Sequence, residues 1–439
     1  MNRFTAPVAE PAEPAEPAAP SEPDRSDPAE ATSGRRLLWG VDADAVATLC
    51  SMRIEIPSEL LRPTGSAFTG HDAVADTAVI HRLTVITPAV GLELPADRVD
   101  DAAELAAHAA DADIRIGAVV PDVAARPGRP LPLCHPDADL AQRALLTLRR
   151  AAALAVDLDA RRFVVRLHTG APYPGAGETQ RRLDRLADVL SGVRRQLPAS
   201  MQLVVEYSVD DPFPVRRATP DWQTASWLAA AAGPGTKVLL DPVPVADEDP
   251  ELSITTLRAA DRLAGLRLGA AGPFALFLAM VDAAEGGVLV RGRRCPVPFA
   301  LRLPPGERPG IETALRTVAA VQEAAAKAML LDRAALRAAQ AVGDVEAATE
   351  VLLTAYETDA SPLLTAVRAA LGGPADTLAA YRELCRDTHR AVERQRSLLR
   401  AALRLGAEPP EVGSDDRIGA GPPGGRVVGA GLWGLRGVG

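Results

Sequence analysis

The chain has 439 residues, 47% of them apolar, which is ample for one large core plus an extension. Its formal net charge is −9 and only 3% of it is aromatic; without a basic stripe, nucleic acid and anionic membrane are argued against as partners. The four cysteines lie far apart with no CxxC pair, the pattern of reduced thiols in a cytoplasmic protein.

Residues 1–36 run through AEPAEPAEPAAPSEP and carry too little apolar surface to fold, so a disordered tail is expected. With neither a basic start nor an apolar run, the tail does not read as a signal peptide. From 37 to 311 short apolar runs alternate with helical stretches. Strands are predicted at 52–57 (MRIEIP), 89–95 (AVGLELP), 115–121 (RIGAVVP), 163–168 (FVVRLH), 201–208 (MQLVVEYS), 236–242 (TKVLLDP), 263–269 (LAGLRLG) and 297–303 (VPFALRL). Such runs suit strands buried on both faces, and several end in a proline that cannot continue a central ladder. Between them, 137–156, 178–196, 221–232 and 273–284 have the clearest helical spacing. Eight units over this length predict an α/β fold, a (β/α)₈ TIM barrel. A doubly wound sheet is the alternative, weakened by the lack of a glycine-rich loop after the first strand.

From 312 to 405 the chain reads as helix, at 313–331, 333–342, 345–356, 362–370 and 377–404. That is too long for an eighth barrel helix alone and predicts a C-terminal α-helical extension, packed on the barrel or on a neighbouring subunit. The end, 406–439, is glycine-rich and reads as a flexible tail.

A TIM barrel does its chemistry at the strand C-termini. Two acids, Glu206 and Asp241, end predicted strands, and so do two arginines, Arg267 and Arg302. Two acids alone would suggest a divalent cation; facing arginines suggests the reverse. A guanidinium is always protonated and has no lone pair to give a metal. Strand parity points Glu93, Arg166, Glu206, Asp241, Arg267 and Arg302 toward the mouth. The expectation is that arginines supply the counter-charge for these acids. His168, two residues past Arg166, is a candidate general base near neutral pH, with Glu93 beside it. His81 and His135 read as structural. Asp221 reads as a first-turn acid that offsets a helix dipole, and Asp247, Glu248 and Asp249 as a solvated acidic loop.

Several collinear motifs resemble bacterial L-rhamnose isomerases. They are MRIEIPS, His81-Arg82-Leu83-Thr84 with Pro88, Arg98-Val99-Asp100-Asp101, Cys134-His135-Pro136-Asp137, Tyr173-Pro174-Gly175, Val205-Glu206-Tyr207, Pro220-Asp221-Trp222, Pro273-Phe274-Ala275-Leu276-Phe277 and the tail VQEAAAKAMLLDRAAL…AAQAVGDVEAATEVLLTAYETDASPLL. The resemblance spans roughly 37 to 400 and implies a tetrameric, metal-dependent aldose–ketose isomerase on a TIM barrel, with Mn²⁺ or another divalent cation polarising the substrate oxygens. It places the family's structural-metal ligands at Glu206 and Asp241, both retained. Its seventh-strand histidine falls on Arg267 and its eighth-strand aspartate on Arg302. A second-metal histidine falls on Pro244, and the acidic loop after the seventh strand is missing, since Leu268-Gly269-Ala270-Ala271-Gly272 runs straight to Pro273. A lysine falls on Ser208, a histidine on Glu93, tryptophans on Ala96 and Arg166, and a polar run on Val119-Val120-Pro121. No cofactor is expected unless the family activity persists, when Mn²⁺ or another divalent cation would be.

Three functions are compatible with this pattern. The first is a catalytically impaired pseudo-enzyme kept as a binding or regulatory subunit. The second is an active sugar isomerase with a rebuilt site, and the third a non-catalytic sugar-binding scaffold barrel. Expected partners are a small sugar and other copies of the chain, as a tetramer, or an active paralogue.

Overall fold

Eight short strands pair edge to edge, all parallel, and the last closes on the first. They are β1 (Ile54–Pro57), β2 (Ala89–Leu94), β3 (Arg115–Pro121), β4 (Arg162–Arg166), β5 (Gln202–Glu206), β6 (Thr236–Leu240), β7 (Leu263–Leu268) and β8 (Phe299–Leu301). The computed structural model describes residues 37–38, 41–63, 68–95, 97–121, 133, 137–167, 179–206, 221–242, 249–269, 272–304, 306–388 and 390. The expected tails at 1–36 and 406–439 lie outside these residues, as do His135, His168, Ser208, Pro244, Asp247 and Glu248.

The fold is therefore the TIM barrel expected from the alternation, with a C-terminal helical region. An antiparallel ribbon, Leu37–Leu38 with Val41–Asp42, leads into helix α1 (Ala43–Cys50). The helices between strands are α2 (Gly70–Thr84), α3 (Ala102–Asp111), α4 (Ala138–Asp157), α5 (Thr179–Arg194), α6 (Trp222–Ala232), α7 (Pro250–Ala259) and α8 (Pro273–Glu285). Most begin on an aspartate whose carboxylate accepts from free backbone N–H groups of the first turn, which no intrahelical carbonyl can reach. Asp221 does this for α6, accepting from the Thr224 amide at 2.6 Å. It sits just before the helix rather than in its first turn, so a direct cap adds to any dipole effect. Asp249 caps α7 in the same way, through the Leu252 amide at 3.0 Å.

Helix α9 (Ile311–Leu330) follows β8 and packs between α8 and α2, so the first helix of the C-terminal region completes the ring. Beyond it, α10 (Arg333–Val342), α11 (Val345–Glu357) and α12 (Ser361–Leu371) fold back on the barrel of the same chain, α11 against α9 and α12 against α1 and α9. Tyr356 anchors this packing. Its ring meets Phe274 edge-on at 5.0 Å and Phe277 at 5.6 Å, with the Lys327 ammonium 4.8 Å from its centroid. The described residues beyond Tyr381, 382–388 and 390, are helical and belong to a second unit.

Side chains alternate across each strand. One set packs outward on the helices in the main core, where Phe163, Phe277 and Phe299 are fully buried. The other set fills the lumen in layers. Ala118, Val120, Val164, Val204, Leu239, Ala264 and Ala300 form a separate apolar cluster at mid-height. Along β4 the inward residues are Arg162, Val164 and Arg166, so charge lies below and above this apolar floor. Below it, Arg162 donates to Glu55 at 2.5 Å, both side chains being 7% exposed. The carboxylate fits because β2 and β3 carry Gly91 and Gly117 beside it; a Cβ on Gly117 would collide with Glu55.

Candidate functional site

Above the floor, the strand C-termini converge into a network of five carboxylates and four guanidiniums. Arg166, at the end of β4, donates to three acids: to Glu206 at 3.1 Å, Glu93 at 2.8 Å and Glu59 at 3.2 Å. Arg267 on β7 donates one η-nitrogen to Glu206 and the other to Glu59 at 2.5 Å. Arg302, just past β8, pairs with Asp241, just past β6, at 2.9 Å. On the opposite rim Arg62 bridges Glu93 at 3.1 Å and Asp97 at 2.8 Å. Asp97, wholly buried, also accepts from the Ser58 hydroxyl and from the Glu93 amide at 2.6 Å.

All six mouth-facing residues expected from strand parity thus stand in ion pairs. Glu206 gives one oxygen to Arg166 and the other to Arg267. His168 is outside the described residues. The sequence reading missed Glu59, Arg62 and Asp97. Each lies beyond a strand end, where the period-two rule no longer applies; Glu59 sits in the short 3-10 turn Ser58–Leu60. Parity gave three acids against three arginines, and that balance offered no prompt to look for more.

Burial opposes the charge on Glu59, but Arg166 and Arg267 beside it outweigh burial and hold its carboxyl below the ordinary range. Burial also works against Arg62, yet its bonds to Asp97 and Glu93 win, and its proton is held more tightly than usual. At Arg267 the balance runs the other way. Burial, then the adjacent Arg166 guanidinium, pull it down to about 9, with Glu59 offsetting part of the fall. That is still well above neutrality, so the side chain stays a cation and a donor only.

This donor set does not suit a divalent ion. Glu206 commits both oxygens to guanidiniums, Asp241 one, and a fixed positive charge stands in the space between strands where a dication would need lone pairs. Among the described residues no group of three or more His, Cys, Asp or Glu side chains could hold a metal ion. What the mouth does hold is a fixed array of charge-assisted hydrogen bonds between its own acids and arginines.

No protein-family model matches the chain. A "Probable sugar isomerase" of Rhizobium meliloti is 25% identical over 386 residues, covering 80% of this chain and 89% of the relative. A second "Probable sugar isomerase", of Mesorhizobium japonicum, is 27% identical over 391 residues with the same coverage. Among solved structures, an L-ribulose 3-epimerase overlays with a TM-score of 0.44 and 17% identity, over 70% of this chain and 99% of its own. No described helix is long and apolar enough to cross a membrane. By its sequence likeness the chain is sugar-isomerase-like over most of its length.

Proposed function

We propose that this protein is a degraded member of the L-rhamnose isomerase family, catalytically impaired and kept as a cytoplasmic sugar-binding or regulatory subunit. One observation carries the reading. The two acids at the family's retained ligand positions, Glu206 and Asp241, are neutralised by Arg267 and Arg166 and by Arg302. Removing two buried carboxylates from water costs several kcal/mol each, so they need a permanent counter-charge. In a metal enzyme the cation supplies it; here guanidiniums do. The resemblance favours assembly with other copies or with an active paralogue.

The test measures metal content of purified protein beside a coupled isomerase assay on L-rhamnose with added Mn²⁺. The expected result is substoichiometric metal, no turnover, and a thermal shift with one or more sugars. Turnover would overturn the proposal. It would favour the second reading, an active isomerase with a rebuilt site, for which the two sugar-isomerase relatives speak.

A further inference from the structure

Arginines also gather at the opposite end of the lumen, where the strands begin. Arg53 precedes β1, Arg115 opens β3, and Arg161 and Arg162 stand at the start of β4. With Glu55, Pro88, Ala89, Gly117 and Pro298 they line one half-open cavity of about 180 Å³. Glu55 is spent on Arg162 at 2.5 Å. Arg53 donates only to the carbonyls of Cys50 and Met52, at 3.2 and 2.7 Å. Arg115 and Arg161 form no ion pair or side-chain hydrogen bond among the described residues. Three cations therefore face one cavity without a carboxylate of their own, in a chain whose net charge is −9. The field of this group reaches the neighbouring helix. His81 on α2 is lowered first by burial, with Asp113 opposing and Arg53 and Arg115 adding to the fall.

We propose that this cavity at the N-terminal end of the barrel is a binding site for a phosphate group, held by Arg53, Arg115 and Arg161 above the buried Glu55–Arg162 pair. The planar guanidinium fork matches phosphate oxygens, and three forks around one cavity suit a compact dianion better than a carboxylate. The one carboxylate in the lining, Glu55, is already paired with Arg162. The site is separate from the mouth and stands whether or not the mouth is catalytic. The phosphate is either free or carried on a small metabolite such as a sugar phosphate.

The experiment is calorimetric titration of the full chain with inorganic phosphate, ionic strength held constant with chloride. Saturable binding is expected, and Arg115→Gln with Arg161→Gln should weaken it at least about tenfold, the scale of a lost charge-assisted bond. Both side chains are exposed, so the fold should survive, as far-UV circular dichroism checks. Should the double variant unfold, each single variant should still show a smaller loss. At the other end of the barrel, Arg98→Gln, an exposed arginine paired among the described residues only with the exposed Asp100, should leave phosphate binding unchanged. Tighter binding of a sugar phosphate than of inorganic phosphate identifies a metabolite as the carrier; equal binding identifies free phosphate. No saturation up to about 10 mM, a range that reaches very weak sites, overturns the proposal. So does binding that survives the double variant or is abolished by Arg98→Gln.

Discussion

At the C-terminal end of the lumen five carboxylates share four guanidiniums, and Glu206 is bonded by two of them. At the N-terminal end Glu55 has one described partner, Arg162, while Arg53, Arg115 and Arg161 meet no carboxylate among the described residues. A TIM barrel usually keeps its unsatisfied, reactive groups at the first end and reserves the second for stability. Here three of the five acids at the mouth, Glu59, Glu93 and Glu206, each hold two guanidiniums, and the base is singly paired with positive charge to spare. A redundant network tolerates the loss of a member, whereas a single buried pair does not.

That difference sets the largest expected effect. Arg162→Met leaves Glu55 buried with no described partner, and the loss should approach the upper end of the range for breaking a buried pair, about 5 kcal/mol. Arg267→Met removes a partner from both Glu206 and Glu59, but Arg166 still holds each. Its loss should lie at the lower end, about 3 kcal/mol. Urea denaturation of both variants measures the gap. A larger loss for Arg267→Met would break the comparison, because the mouth would then behave as a set of essential pairs.

The third effect sharpens what the mouth has lost. Arg267→His with Arg302→Asp removes two guanidiniums and adds one imidazole and one carboxylate beside Glu206 and Asp241. Mn²⁺ should then stabilise the double variant, by about 2.7 kcal/mol at a hundredfold excess over its dissociation constant. The parent should not respond. Turnover should remain absent in both, because the position the resemblance gives to the second-metal histidine is still Pro244. A Mn²⁺-dependent rise in melting temperature for the parent would show that the arginine pairs yield to the ion.

The barrel was legible because each strand is a short apolar run with turn residues at its ends, and eight such runs alternate with helices. Where both ends are described, the boundaries differ by only a residue or two; the predicted strand at 236–242 is observed as Thr236–Leu240. The charged mouth was legible only as far as parity reaches. Arg166, Arg267 and Glu206 follow from counting along a strand, whereas Glu59 and Arg62 are placed by a 3-10 turn and Asp97 by the chain after β2. The base escaped notice for a different reason. Arg115 and Arg161 begin strands, and a residue outside the ladder's interior carries no facing rule; only the closed barrel brings them to one cavity.

The smallest effect concerns Glu59, the acid that ties Arg166 to Arg267. Its carboxyl sits below the ordinary glutamate value of 4.5 when folded. A depressed folded value means that the unfolded chain binds the proton more readily. The stabilisation Glu59 contributes is therefore complete above 4.5 and lost as pH falls through its lower folded value. Glu59→Gln should be less stable than the parent at pH 7, and the two should converge on acidification. The gap at pH 7 should be smaller than that of Arg267→Met, because Glu59 is partly exposed and water screens its pairs. Chemical denaturation across pH 3 to 7 measures it. A gap that stays constant over that range would mean that Glu59 acts through packing in the turn rather than through its charge, and the mouth would then hold together without its central acid.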